Sequence, residues 1–137
     1  MLKKVLVVDD NEDILEAMQQ SLEFAGFDVK TIKKADGIFS LIEQYKPDII
    51  LLDYLLHGIN GGEICRQIKN NPNTSYIPVI MISAHSKAVY CLEKYGCDAF
   101  VAKPFELWDL VDKINAYPIR YFSALFNVPV FQPHAIN

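Results

Sequence analysis

The residues best equipped for chemistry in this chain stand directly after its apolar runs. Val5, Leu6, Val7 and Val8 stop at Asp9 and Asp10, and the run 49–52 stops at Asp53. The run 79–82 leads into Ser83 and Ala84, and the run 99–102 leads into Lys103 and Pro104. Gathered on one rim, these positions would supply three carboxylates, one hydroxyl and one ammonium. Two like charges about 4 Å apart repel by about 4 kcal/mol at the effective dielectric of a protein surface. Lys103 can offset only one of the charges, so a hard divalent cation with oxygen ligands is the natural complement. Mg²⁺ suits the set best, because it takes one or two carboxylates, keeps several waters and leaves room for a phosphate oxygen.

A carboxylate held beside such a cation and a lysine is a nucleophile for phosphoryl transfer. The two positive charges offset charge on the equatorial oxygens of the transition state. Asp53 is the better candidate, since its run is expected to lie between that of Asp9 and Asp10 and that of Ser83. Ser83 could then bond a phosphoryl oxygen, and Ala84 is small enough to leave an approach open. Each residue alone has a plainer explanation. Asn11 or Asp10 could cap the first helix, and Glu12 and Asp13 need only the positive end of that helix. A single Asp after a strand is usually a cap, and Lys-Pro is usually a turn. Their coincidence at four strand ends, in this order, carries the functional reading.

The elements that must position these residues alternate between two periods. Short runs rich in Val and Ile recur at 5–8, 29–32, 49–52, 79–82 and 99–102. Between them lie helical stripes. Ile14, Leu15, Met18, Leu22 and Ala25 mark the first, stopped by Gly26. Ile38, Phe39, Leu41 and Ile42 mark the second, ended before Pro47. Ile64, Cys65 and Ile68 mark the third, ended before Pro72. Val89, Leu92 and Tyr95 mark the fourth, closed by Gly96, and Leu107, Leu110, Val111 and Ile114 mark the fifth, ended by Pro118. Five strands each followed by a helix imply right-handed crossovers and an α/β fold with a parallel sheet covered on both faces. The second run, "VKTI", alternates and reads as an edge strand. In such sheets ligands sit beyond the carboxyl ends of the strands, where the acids, Ser83 and Lys103 fall.

At 137 residues the chain suits one domain with a real core. A net charge of -4 gives no electrostatic ground for binding nucleic acid or an anionic membrane. No apolar run approaches the roughly 18 residues that span a bilayer. Met1 leads straight into a strand, without the pattern of a signal peptide. Cys65, Cys91 and Cys97 are odd in number, with no CxxC pairing and no His at ligand spacing, and read as thiols in a reducing cytosol. A cytoplasmic location is expected.

Four segments, "VLVVDDNED", "PDIILLDYLLHGINGGEICRQIK", "IPVIMISA" and "DAFVAKPF", carry a resemblance. In their order and spacing, from about Lys3 to about Ala116, the chain closely resembles the receiver domain of bacterial response regulators, the CheY-like phosphoacceptor of two-component signalling. The resemblance implies a flavodoxin-like fold of five parallel strands with helices on both faces. It implies a signalling domain rather than an enzyme, one that assists only its own phosphorylation and dephosphorylation. Asp53 would accept a phosphoryl group from a sensor histidine kinase or a histidine phosphotransfer protein. Asp10, Asp53 and the backbone carbonyl of Leu55 would hold Mg²⁺, with Asp9 acting largely through water. Lys103 matches the lysine that pairs with the carboxylate and then with the phosphoryl group, and Pro104 implies a cis Lys-Pro bond. Ser83 matches the switch hydroxyl and Phe100 the switch aromatic, which here has no hydroxyl of its own. Phosphorylation would then shift the face made by the fourth helix, fifth strand and fifth helix toward an arrangement read by a downstream protein. Two departures stand out. His57 replaces the usual Pro and is expected to be a solvated loop residue. Leu55 and His85 occupy the positions that modulate hydrolysis of the phosphoryl group: Leu55 would shield the bond, and His85 would orient or block water.

Residues 1–117 thus read as the receiver and 118–137 as an apolar tail without a separate output domain. The stretch "YPIRYFSALFNVPVFQPHAIN" holds no acid, three prolines and five aromatics. It is too short for a DNA-binding domain. A short helix from Pro118 could carry Ile119, Phe122 and Phe126 on one face. Its aromatics either pack back on the domain or form an interface for a partner or a second copy, which would make a homodimer. Two other functions compete: a receiver-like interaction module that is never phosphorylated, and a phosphatase of the haloacid-dehalogenase type. The second normally places its nucleophile on the first strand with an Asp two positions on, and position 11 is Asn here.

Overall fold

The structure, a computed structural model, describes residues 1–85 and 90–119, without the side chains of Cys91 and Leu92. In chain order the elements are β1 (Lys4–Val8), α1 (Glu12–Phe24), β2 (Asp28–Ile32), α2 (Ile38–Tyr45) and β3 (Ile49–Asp53). They continue with β4 (Leu55–Leu56), β5 (Ile59–Asn60), α3 (Gly61–Asn70), β6 (Val79–Ser83), α4 (Cys91–Lys94), β7 (Ala99–Ala102) and α5 (Leu107–Asn115). Five strands pair in parallel in the order β2-β1-β3-β6-β7, so the expected α/β sheet is present and "VKTI" lies at its edge. β3 and β6 are buried throughout, because helices cover both their faces.

Strand alternation divides the core in two. Val5, Val7, Leu51 and Ile82 pack on α1 and α5 through Leu15, Met18, Leu22, Leu110 and Ile114. Leu6, Val8, Leu52 and Met81 pack on α2 and α3 through Ile38, Ile42, Ile64 and Ile68, with Tyr95 and Cys97. Cys65 and Cys97 are buried free thiols. Their mutual hydrogen bond and burial push the Cys97 thiol far above its ordinary range.

The N-terminal edge of the sheet is held by charges that all have partners. Asp98 accepts from the Lys69 ammonium at 2.9 Å and from the Val79 N–H at 2.7 Å. Asp48 accepts from the Lys4 N–H at 2.8 Å. The buried Lys3 ammonium donates to the carbonyls of Ile114, at 3.0 Å, and Tyr117, satisfying the C-terminal end of α5 where a cation is favoured.

Three features depart from the sequence reading. β3 and β6 each run one residue further, so Asp53 and Ser83 end strands rather than begin loops. A tight hairpin, β4 against β5, follows Asp53, and its turn is His57-Gly58 with Gly58 at φ 71°. With positive φ at the second central residue alone, the turn wants Gly there, as position i+2 of a type II turn does. The fourth helix is described only over Cys91–Lys94, and Val89, expected on its stripe, lies outside the described residues. So does the tail from residue 120, with its expected Phe122 and Phe126.

Two glycines let α3 approach the sheet. A Cβ on Gly61 would stand 2.2 Å from the Asp53 carbonyl oxygen, and one on Gly62 would stand 2.3 Å from the Tyr95 ring. That ring is held from three sides, by the Asn60 amide donating to its hydroxyl at 3.0 Å and by the cations of Arg66 and Lys94 near its faces. Gly62→Ala should therefore destabilise the fold by about 1–3 kcal/mol, as overpacking does. In a Tyr95→Ala background the same change should cost little, because the blocking ring is gone. Urea unfolding of the four proteins of this cycle measures both terms.

Candidate functional site

Alternation places the site before any side chain is considered. Asp9 and Lys103 follow β1 and β7, and Asp53 ends β3, on the parity of Val7, Val101 and Leu51, the α1/α5 face. Ser83 and Phe100 have the parity of Met81, the opposite face. Three strand ends therefore converge on one side of the rim.

The carboxylates of Asp9, Asp10 and Asp53 each place an oxygen within 4.8 Å of the others. Lys103 reaches the group from β7: its Nζ lies 3.1 Å from Asp9 Oδ2 and 3.4 Å from Asp53 Oδ1. The Lys103–Pro104 bond is cis, as expected. Both oxygens of the buried Asp9 are engaged, because Oδ1 accepts from the Asn11 N–H at 3.0 Å. Asn11, not Asp10, caps α1, with its side chain accepting from the N–H groups of Asp13 and Ile14. Glu12 and Asp13 lie in the first turn, as expected, and Glu12 also pairs with Lys33.

The hairpin closes the acidic side. The His57 N–H donates to Asp10 Oδ2 at 3.0 Å, and the imidazole Nδ1 lies 3.5 Å from the same oxygen. His57 is the exposed turn residue that its position suggested, and it also contacts Asp10. Leu55, also exposed, opens β4 opposite Asn60.

Ser83 and Phe100 stand apart from this group. The buried Ser83 Oγ accepts from the His85 N–H at 2.9 Å, and Phe100 packs half-buried among Met81 and its neighbours. Tyr54 and His85 approach with ring centroids 6.0 Å apart, linking the ends of β3 and β6. Tyr54, Asn60, Gly61 and Gly62 support the site and went unread in the sequence, and Tyr95, expected only on a helical stripe, packs against Gly62. The signal for three of them was "NGG" three residues after "LLH", the start of a capped helix pressed against a strand end. Asn60 is that cap, accepting from the Gly62 N–H at 2.7 Å.

The electrostatics follow from burial. Desolvation, then the charge of Asp9, pushes the Asp53 carboxyl up to about 6, although Lys103 pulls the other way. One ammonium does not offset three carboxylates, so this donor set fits a hard divalent cation held by oxygen. A carboxyl raised in the folded state binds protons there more readily than in the unfolded chain. Its charge therefore costs stability, fully above about pH 6 and not at all below the ordinary carboxylate range near pH 4. In a chelator at pH 7.5, Asp53→Asn should be more stable than wild type by on the order of 1–2 kcal/mol. The gap should close toward pH 4, and Mg²⁺ should stabilise only the wild type. Thermal or urea unfolding across that pH range checks the sign.

Comparison with known proteins agrees with this geometry. The family model described as "Response regulator receiver domain" matches residues 5–115. The phosphate regulon transcriptional regulatory protein PhoB of Rhizobium meliloti (strain 1021) is 35% identical over 119 residues, covering 85% of this chain and 52% of that protein. The chain thus spans about half the length of that relative. Among solved structures, a CheY-like response regulator receiver domain protein from Methanospirillum hungatei JF-1 superposes with a TM-score of 0.76 at 28% identity, over 85% of this chain and 93% of that one. The chemotaxis response regulator CheY4 of Vibrio cholerae shares the fold, with a TM-score of 0.76 at 20% identity over 85% and 98% of the two chains. The doubly covered five-stranded sheet is thus the CheY-like, flavodoxin-like fold, and the chain belongs to the response regulator receiver family.

Proposed function

We propose that Asp53 accepts a phosphoryl group in a Mg²⁺-dependent transfer from a phosphohistidine donor, a sensor histidine kinase or a histidine phosphotransfer protein. The observation that carries this reading is a nucleophile-ready carboxylate at the end of the central strand β3, between two further acids and the Lys103 ammonium 3.4 Å away. An Asp53 oxygen forms the bond to phosphorus as the phosphorus–nitrogen bond of the donor breaks, and the electron pair leaves with the imidazole. Asp10, Asp53 and the Leu55 carbonyl would hold the cation. Asp9 would act through water, which fits an acid whose two oxygens already have partners. When bound, Mg²⁺ supplies positive charge for the phosphoryl oxygens. Lys103 moves its bond from carboxylate to phosphoryl group, which offsets the charge that arrives.

The partner surfaces follow from exposure. An apolar groove of about 520 Å³ runs beside the site between α1 and α5, lined by Ile14, Met18, Leu22, Phe105 and Leu110, with Lys103 at its rim. It suits the phosphodonor protein, which must bring its histidine to Asp53. On the face of α4, β7 and α5, Tyr90 and Trp108 are exposed and suit a downstream protein target. Ser83, whose Oγ accepts from the His85 N–H, would donate its own O–H to the phosphoryl group and, with Phe100, bias that face. No helix among the described residues is long and apolar enough to cross a membrane, and a cytoplasmic receiver spanning 1–117 fits these features.

Incubation with Mg²⁺ and a small phosphodonor such as acetyl phosphate should add one phosphoryl group to the intact mass of the wild type and none to Asp53→Asn. Lys103→Ala should lower the rate of labelling at least tenfold, since it removes the positive charge that meets the incoming group. A wild type that gains no mass, or an Asp53→Asn protein labelled as fast, would overturn the assignment. Steady turnover of a phosphate ester would favour the phosphatase reading instead.

A further inference from the structure

The β4–β5 hairpin needs an anchor that the acids do not supply. Its strands are two residues each, and a two-stranded hairpin is marginal in water by itself. Leu56 is buried in the core and holds the hairpin down, but apolar packing has no direction. Directed bonds must therefore set its position. Two of them lie at the site itself: the His57 N–H donates to Asp10 Oδ2 at 3.0 Å, and the Gly61 N–H donates to the Tyr54 carbonyl at 2.7 Å. Among the described residues, a third comes from outside the site, where the Asn60 amide donates to the Tyr95 hydroxyl at 3.0 Å. The amide has one orientation, because Oδ1 accepts from the Gly62 N–H at 2.7 Å and so turns Nδ2 toward Tyr95.

Tyr95 is itself firmly held. It is buried directly after α4, and the Arg66 and Lys94 cations stand 5.1 and 5.2 Å from its ring centroid. Its carbonyl accepts from the Cys65 thiol at 3.7 Å, and Arg66 donates to the neighbouring Lys94 carbonyl at 3.3 Å. A fixed ring presents a fixed hydroxyl. We propose that Tyr95 is a positioning residue of the phosphoacceptor site: through Asn60, its hydroxyl sets where the hairpin holds the Leu55 carbonyl and the His57 N–H against the acids. The inference rests on the reading of Asp9, Asp10 and Asp53 as a Mg²⁺ site. It gives the end of α4 a hold on cation affinity, and by linkage a bound cation has the same hold on that end. The plainer role, a ring filling space over Gly62, asks nothing of the hydroxyl.

Tyr95→Phe separates the two roles, since it keeps the ring and removes the bond. Mg²⁺ titration of the full chain can be followed by the amide NMR signals of Asp10, Asp53, Leu55 and His57. Affinity should be about threefold or more weaker in the variant, as the loss of one hydrogen bond allows. Its Leu55 and His57 amides should also differ from wild type before any Mg²⁺ is added. Asn60→Ser keeps a capping hydroxyl for α3 but is too short to reach Tyr95, so it should weaken Mg²⁺ binding to a similar degree. The double variant should be little worse than either single one, because both remove the same bond. Wild-type affinity with unmoved hairpin amides in Tyr95→Phe, or effects that simply add in the double variant, overturn the role of Tyr95 and leave the acidic site standing. Wild-type amides that ignore Mg²⁺ overturn the acidic site, and the inference with it.

Discussion

The mutual repulsion of Asp9, Asp10 and Asp53 is the constraint around which the rim is arranged. Three carboxylate oxygens within 4.8 Å face the Lys103 ammonium, so among the described residues the rim holds more negative charge than that ammonium offsets. The opposite edge of the sheet shows that this is not forced by the fold. There Asp48 and Asp98 are matched by backbone N–H groups and by Lys69, and they stabilise what they touch. Acids at the N-terminal edge serve structure, and acids at the C-terminal edge store a demand for positive charge.

That demand can be met only if the acids cannot drift apart, and the surrounding contacts prevent them from doing so. Asp53 is the last residue of a fully buried strand, and α3 is pressed against its carbonyl through Gly61. Asp9 is held by the Asn11 N–H and by Lys103, and Asp10 by the turn of the β4–β5 hairpin. The same α3 start carries Asn60 and Gly62 to Tyr95, which follows α4. A change at Asp53 is therefore mechanically continuous with the element proposed to report it, through the hairpin and α3 as well as through Ser83.

The sheet, its edge strand, the five strands and the acid–lysine group were all legible in the sequence, because period and strand-end chemistry are local signals. What was not legible came from contacts between distant elements. Nothing local tells that Gly62 is small because Tyr95 fills its space, or that the His57 N–H reaches an acid 47 residues away. The hairpin was missed for a different reason. Its strands are two residues each, too short to show a period, and only the His57-Gly58 turn announced it. Asn11, directly before the helix, caps α1, while the Asp10 carboxylate accepts from the hairpin.

The claim that the rim is a crowded, cation-seeking site is tested most directly by the titration of the Asp53 side chain itself. Carbon NMR of its carboxyl, followed against pH in a chelator and again in Mg²⁺, reads that charge without relying on phosphorylation. The account predicts a midpoint near 6 in the chelator, and a fall of that midpoint to or below the ordinary carboxylate range when Mg²⁺ is added. An Asp53 that titrates near 4 in both conditions would contradict it.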